Sequence, residues 1–321
     1  MKVARLHRFG GPEVLEYDDV TPPTPKPGEA LVKTEAIGVN YTDVNSRAGV
    51  SPAPLPLIPG REAAGHVIQV GDGVEGVSVG DLVGFCGING TYAEQVCVPA
   101  WQLIKLPQGI DVRAAAGSLL QGMTAHYLVF STYPLQPGDS CLVHAGAGGT
   151  GLMVIQMAKR AGAKVITTVS TKEKEDLARD AGADIVINYL NQDFEAETLN
   201  ATNGHGVQVV YDAVGKTTFD KSISCLASLG VMALYGAASG PVPPQDLGIL
   251  SAKSLFITRP ALGAYTADRK SLSNRANDVL NWLLSGELKL RISKEFHLSE
   301  AAEAHRQLQS RASTGKLLLI P

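Results

Sequence analysis

The segment His144-Ala145-Gly146-Ala147-Gly148-Gly149-Thr150-Gly151 is the part of this 321-residue chain richest in chemical implication. Glycines 146, 148 and 151 satisfy G-x-G-x-x-G, a pattern that alone marks only a glycine-rich turn. Here an apolar strand, Ser140 to His144, runs directly into it. Helical spacing follows from Leu152 to Ala161, and a second strand, Lys164 to Val169, comes next. In that context the free N–H groups at a helix N-terminus hold a dinucleotide diphosphate. The first glycine permits the tight turn, the second lets the main chain approach the ligand, and the third lets helix and strand pack closely.

The end of the second strand distinguishes the two nicotinamide dinucleotides. An Asp or Glu about 20 residues beyond the glycines holds the ribose 2′-hydroxyl of NAD. This chain reads Thr168-Val169-Ser170-Thr171-Lys172-Glu173-Lys174, with hydroxyls and two lysines where the carboxylate would stand. A 2′-phosphate needs hydroxyl donors and positive charge and is repelled by a carboxylate. The plainer reading puts Lys172 and Lys174 on a solvated helix start, where cations oppose the helix dipole. NADPH is the expected cofactor.

These residues need elements to position them. Up to about Leu120 the chain reads as short strands broken by turns, including Glu29–Val39, Gly65–Gly71 and a Gly-Asp turn feeding Leu82-Val83. From Gln121 strands and helices alternate: Ser140–His144, Lys164–Val169, Asp184–Ile187, Val207–Tyr211 and Val231–Tyr235, with a helix over Lys172–Ala181. That rhythm predicts βαβ units and a parallel, doubly wound α/β sheet. Helices near 276–284 and 300–308 and a last strand, Lys316–Ile320, return to the first module. The expected layout is a β-rich module of residues 1–120 and 261–321 around a doubly wound, nucleotide-binding module of residues 121–260.

Composition narrows the classes of function. Lys plus Arg is 28 and Asp plus Glu is 31, a net charge of −3, which gives no electrostatic footprint for nucleic acid or anionic lipid. No apolar run reaches the about 18–20 residues that span a bilayer, and Met1 to Phe9 lacks a signal-peptide core. A soluble, cytoplasmic protein is expected. Its scattered cysteines, Cys86, Cys97, Cys141 and Cys225, should be reduced.

Several stretches resemble the zinc-free quinone oxidoreductase (zeta-crystallin-like) branch of the medium-chain dehydrogenase/reductase superfamily. They include Gly38-Val39-Asn40-Tyr41-Thr42-Asp43, Pro59-Gly60-Arg61-Glu62-Ala63-Ala64-Gly65, Gln121-Gly122-Met123-Thr124-Ala125, Ala145 to Gly151, Val186-Ile187-Asn188-Tyr189, Ile257-Thr258-Arg259-Pro260 and Ser310-Arg311-Ala312. The likeness runs in order along essentially the whole chain, and bacterial NADPH:quinone reductases are similar in pattern. Zinc alcohol dehydrogenases of the superfamily carry Cys-His where this chain has Asn40-Tyr41, and Gly-His-Glu where it has Gly60-Arg61-Glu62. Arg stays protonated and a neutral amide is a poor zinc ligand, so no metal is expected. Without a Lewis acid an unactivated ketone is hard to reduce, whereas a quinone or an enone is already electron-poor.

The resemblance implies a Rossmann domain beside a GroES-like β-barrel, which makes the β-rich module the substrate domain, with cofactor and acceptor in the cleft between them. It implies NADPH-dependent quinone reduction, by hydride or one-electron steps, with 2-alkenal or enone reduction as the alternative. A nucleotide-responsive RNA-binding or structural role is the third reading. Asn40 would lie by the nicotinamide ribose, Tyr41 would line the substrate cleft, and Thr124, at the start of a crossing helix, would lie beside the cofactor. Gly146, Gly148, Gly149, Thr150 and Gly151 form the phosphate loop. Ser170, Lys174 and Tyr189, with Arg311, would surround the 2′-phosphate, and Tyr235-Gly236 the nicotinamide half. Asn45 stands where many relatives carry a Tyr that bears on the substrate. Asp43 and Arg47 fit a structural ion pair better than the alternative, a part in catalysis. The apolar edge strand Ser254–Thr258 needs covering, and in the family it pairs across a two-fold, so a homodimer is expected.

Overall fold

The protein, described here by a computed structural model, is defined over residues 1–50, 53–310 and 313–321. Its backbone divides into two units, residues 1–123 with 265–321, and residues 124–264. In chain order the strands are β1 Lys2–Arg5, β2 Glu16–Asp19, β3 Glu29–Val39, β4 Glu62–Val70, β5 Leu82–Cys86, β6 Gln95–Pro99, β7 Ile104–Lys105, β8 Ser140–Val143, β9 Lys164–Val169, β10 Ile185–Asn188, β11 Val207–Asp212, β12 Leu226–Leu234, β13 Phe256–Thr258, β14 Ile292–His297 and β15 Lys316–Ile320. The helices are α1 Tyr41–Arg47, α2 Val112–Tyr127, α3 Gly149–Arg160, α4 Lys172–Asp180, α5 Phe194–Ala201, α6 Phe219–Ser224, α7 Leu262–Tyr265, α8 Arg269–Ser285 and α9 Ala301–Gln309.

The first unit is built on a mostly antiparallel sheet in the order β14-β15-β3-β4-β5-β7, with β6 also pairing to β3. Strand β3 is the organiser, because it bonds β4, β6 and the returning C-terminal strand β15. Its alternating run buries Ala30, Val32, Ile37 and Val39 against Val67, Val83, Phe85, Tyr92, Val98 and Leu319. At about 25 cal/mol per Å² of apolar surface removed from water, a core of that size dominates the unit's stability. Gly65 sits where β4 crosses closest to β3, and a Cβ there would lie 1.9 Å from the Lys33 carbonyl oxygen.

The second unit is a six-stranded sheet in the order β10-β9-β8-β11-β12-β13, every pairing parallel. Counted from β8, this is the order 3-2-1-4-5-6 of a doubly wound sheet, with its switch point between β8 and β11. Ligands of such sheets bind outside the carboxyl ends of the strands at that point. The strands are apolar on both faces, with Leu142, Ile166, Ile187, Val210 and Met232 on one and Cys141, Val143, Val165 and Val209 on the other, because helices cover both sides.

Several element limits differ from expectation, two of them at residues that matter to the site or to the sheet edge. Helix α2 starts just after Asp111, whose carbonyl accepts from Ala115 N–H, so Thr124 lies in its last turn rather than at its start. The alanine run 114–116 favours helix strongly enough to carry the segment past Gly117 and Gly122. The edge strand is shorter than Ser254–Thr258, because Ser254 is left-handed at φ 51° and only Phe256–Thr258 pairs with β12. Gly65→Ala is expected to lower unfolding stability by about 2–3 kcal/mol through overpacking of the β3–β4 crossing. Urea titration measures it, and an unchanged midpoint would contradict the register.

Candidate active site

The glycine loop has the geometry its sequence requires. Gly148 caps α3 and offers no side chain, so the N–H groups of Gly149, Thr150 and Gly151 have no acceptor within the helix. The loop tightens on itself: Gly148 N–H donates to Ala145 O at 2.9 Å, and Ala145 adopts φ 55°. A Cβ at Gly151 would stand 2.3 Å from Ala145 O, and one at Gly146 would stand 2.0 Å from Thr167 Oγ1. Both glycines are therefore required by packing. The outcome is a row of unpaired N–H donors at the positive end of a helix, suited to a diphosphate.

The neighbouring strand ends complete this half of the site. Register pairs Val169 with Asn188, and Tyr189 N–H donates to Val169 O at 3.1 Å, so Ser170 and Tyr189 leave the sheet side by side. Thr171 caps α4 by accepting from Lys174 N–H, which puts Lys174 in the first turn beside Ser170. Tyr189 is half exposed, and no carboxylate stands between Thr168 and Lys172. Tyr235 and Gly236 follow β12, and both N–H groups donate to Asp212 O. Arg311 lies outside the described residues.

In the first unit Asn40 caps α1, with Tyr41 as the first residue of that helix and Asn45 one turn further on. The buried Asn40 amide is held by two groups that sequence reasoning did not assign. Lys316 Nζ donates to Asn40 Oδ1 at 2.8 Å, and Asn40 Nδ2 donates to Glu62 Oε1 at 2.8 Å. Lys316 also bonds Glu62 directly, both side chains are 0% exposed, and Glu62 Oε2 accepts from Leu120 N–H. An ammonium only donates and a carboxylate only accepts, so one orientation of the amide satisfies both. Lys316 opens an apolar strand, and a lysine in such a run is the one signal that could have marked it.

These residues do not fit a zinc ion. The Asn40 oxygen is taken by an ammonium, both Glu62 oxygens are engaged, and the Arg61 guanidinium donates to Asn89. A divalent cation placed there would face the fixed charge of Lys316. Among the described residues, the group of His and carboxylate ligand atoms within 4.8 Å of one another is His7, Glu16 and Asp18, where Arg5 already donates to Asp18.

Asp43 and Arg47 form no ion pair, contrary to the expectation from their spacing. Asp43 Oδ2 accepts from Asn40 N–H at 2.8 Å and from the Tyr92 hydroxyl at 3.1 Å. The Arg47 guanidinium instead ties Gly10 O to Gln309. The Tyr92 oxygen in turn meets His305 Nε2 at 3.0 Å, so a buried chain joins α1 to α9. Burial pushes the Asp43 carboxyl up to about 7. Burial, with Arg47 nearby, pushes the His305 imidazole down to about 3.

The signs of these two shifts oppose each other. His305 binds its proton in the unfolded chain first, so acid removes stability as pH falls through about 6.5. Asp43 binds its proton in the folded chain first, so acid adds stability between about 7 and 4. His305→Gln should therefore lose about 2 kcal/mol less than the parent between pH 7 and pH 5, and Asp43→Asn about 2 kcal/mol more. Denaturant titrations at the two pH values measure both, and parallel slopes in all three proteins would contradict the assignment.

Comparison with known proteins agrees with this architecture. Residues 26–108 match the alcohol dehydrogenase GroES-like domain, and residues 149–282 match the zinc-binding dehydrogenase model. A quinone oxidoreductase of Pseudomonas aeruginosa is 43% identical over 316 residues, covering 98% of this chain and 97% of that protein. A 2-haloacrylate reductase of a Burkholderia species is 41% identical over 330 residues, covering 99% of this chain and 98% of the relative. The solved structure of Escherichia coli quinone oxidoreductase complexed with NADPH superposes with a TM-score of 0.98 at 40% identity, over 100% of both chains. With its Rossmann sheet and GroES-like module, the chain belongs to the quinone oxidoreductase branch of the medium-chain dehydrogenase/reductase superfamily.

Proposed function

We propose that this protein is an NADPH-dependent quinone oxidoreductase that works without a metal. The observation that carries the reading is the row of unpaired N–H groups at Gly149, Thr150 and Gly151, beside a strand end with hydroxyls and Lys174 in place of a carboxylate. Bound NADPH supplies the reducing equivalents, as hydride or as single electrons. The protein's own residues bind and orient. Gly146, Gly148, Gly149, Thr150 and Gly151 receive the diphosphate, Ser170, Lys174 and Tyr189 receive the 2′-phosphate with Arg311, and Thr124, Tyr235 and Gly236 serve the rest of the dinucleotide. On this reading residues 124–264 are the cofactor module, and residues 1–123 with 265–321 the acceptor module.

Asn40, Tyr41 and Asn45 serve the acceptor and the nicotinamide ribose. Asn45 is an amide, so it offers a neutral hydrogen bond to a developing oxyanion rather than a titrating phenol. A quinone or enone suits a site whose fixed cation, Lys316, is consumed by Glu62, because such an acceptor spreads its own charge. The Burkholderia 2-haloacrylate reductase, at 41% identity, favours activated alkenes as a second acceptor class. We further place the protein in the cytoplasm as a homodimer. Support for the dimer comes from the edge strand β13, where Phe256 is 59% and Ile257 37% exposed.

Lys174→Ala is expected to raise the KM for NADPH about tenfold and to change the KM for NADH by less than twofold, read by cofactor oxidation at 340 nm. Equal effects on both cofactors would remove Lys174 from the 2′-phosphate site. A panel of ortho-quinones, para-quinones and 2-alkenals should show kcat/KM highest for a quinone. Turnover of the alkenals alone would replace the leading activity with the second.

A further inference from the structure

The second unit contains a buried polar chain that the proposed reaction leaves unused. His144 is the last residue before the glycine loop and is 1% exposed. Its Nδ1 lies 2.9 Å from Thr168 Oγ1, at the end of β9, and its Nε2 lies 2.9 Å from Ser222 Oγ on α6. Ser222 Oγ reaches Asp212 Oδ2 at 3.5 Å, and that carboxylate, at the end of β11, also accepts from Thr218 Oγ1 and from Val214 and Gly215 N–H.

The chemistry of the partners gives the chain one direction. A carboxylate only accepts, so Ser222 donates to Asp212. Its oxygen then accepts from His144 Nε2–H, and the bare Nδ1 accepts from the Thr168 hydroxyl. This needs a neutral imidazole. Burial holds His144 below its usual range, although the Asp212 charge pulls the other way.

The backbone carries the chain onward at both ends. Gly146 N–H donates to Thr168 O at 3.1 Å, which fixes the first glycine of the loop to β9. Asp212 O accepts from Tyr235 and Gly236 N–H at 2.9 and 3.2 Å, which fixes the end of β12. His144 N–H donates to Tyr211 O, and the imidazole packs edge-on against Phe194 at 4.8 Å. The carboxyl ends of β8, β9 and β11 are thus joined through one run of side chains, and that of β12 is tied on by backbone bonds to Asp212, at the edge of the sheet where doubly wound folds bind ligands.

We propose that His144, with Ser222 and Asp212 behind it, is a positioning residue that sets the glycine loop at the spacing the dinucleotide diphosphate requires. The proposal rests on reading that loop as the NADPH cradle. Ser222 lies on α6, outside the loop, so it reaches the cofactor residues only through its two partners, His144 on the side of the glycine loop and Asp212 on the side of Tyr235 and Gly236. Because the diphosphate is common to NADPH and NADH, weakening must be equal for both, unlike a change at the 2′-phosphate site.

The test is a fluorescence titration of NADPH and of NADH against Ser222→Ala, Thr168→Val, the double variant and Gly151→Ala, with the melting temperature of each. Loss of one hydrogen bond in the chain should raise both dissociation constants about five- to tenfold, by the same factor for each cofactor. The double variant should be little weaker than the weaker-binding single variant, because both substitutions break one chain. A lowered melting temperature, with both constants within twofold of the parent in Ser222→Ala and Thr168→Val while Gly151→Ala loses affinity, would make the chain structural only and overturn the proposal. If Gly151→Ala also bound both cofactors normally, the cradle reading would fall, and the proposal with it.

Discussion

A lysine ammonium with no access to water, shared between a carboxylate and an amide, pins three separate segments of the first unit together. Charges removed from water persist only when paired and hydrogen-bonded. Lys316, Glu62 and Asn40 meet that condition together: the ammonium donates to both partners, and the amide returns a bond to the carboxylate. The three come from the C-terminal strand, from β4 and from the β3–α1 junction. Removing either ion would leave the other buried and alone, at a cost of about 3–5 kcal/mol. The pin therefore fixes where the chain's end returns, how Asn40 faces, and where Tyr41 and Asn45 begin their helix. It also decides the chemistry, because a site already holding a fixed cation has no donor set for a zinc ion.

The second unit solves a different problem with neutral groups. Its parallel sheet is apolar on both faces, so its polar business is confined to the strand ends. There the glycine loop leaves donors unpaired at the start of α3 and aims them outward, while the buried polar groups just behind it are bonded to one another. Unpaired donors in front of polar side chains already bonded to one another are what an anionic ligand needs: a place where binding supplies bonds the protein lacks and leaves those behind it intact.

Much of this was readable from the chain. Strands Glu29–Val39, Lys164–Val169 and Lys316–Ile320 match their expected limits residue for residue, since their apolar runs are bounded within two residues by Gly, Pro or a helix cap. The glycine loop was legible because strand, loop and helix are contiguous. What escaped depends on contacts between distant positions. Lys316 and Glu62 are 254 residues apart, and no periodicity links them. Strand β4 begins at Glu62 rather than at Gly65 because residues 62–64 pair with Cys86, Phe85 and Gly84 of β5, although Ala63 and Ala64 carry no strand signal of their own. Asp43 and Arg47 have the spacing of a helical ion pair, yet burial gives each a better partner from another element, Tyr92 for one and Gln309 for the other.

The central claim is that the Lys316–Glu62–Asn40 pin stands in place of a metal and leaves an NADPH-dependent site for electron-poor acceptors. The most direct measurement is metal content by mass spectrometry on the purified protein, paired with NADPH:quinone turnover before and after dialysis against a chelator. The account requires far less than one zinc per chain and a rate unchanged by chelation. Stoichiometric zinc, with activity lost on its removal and restored on its return, would contradict it.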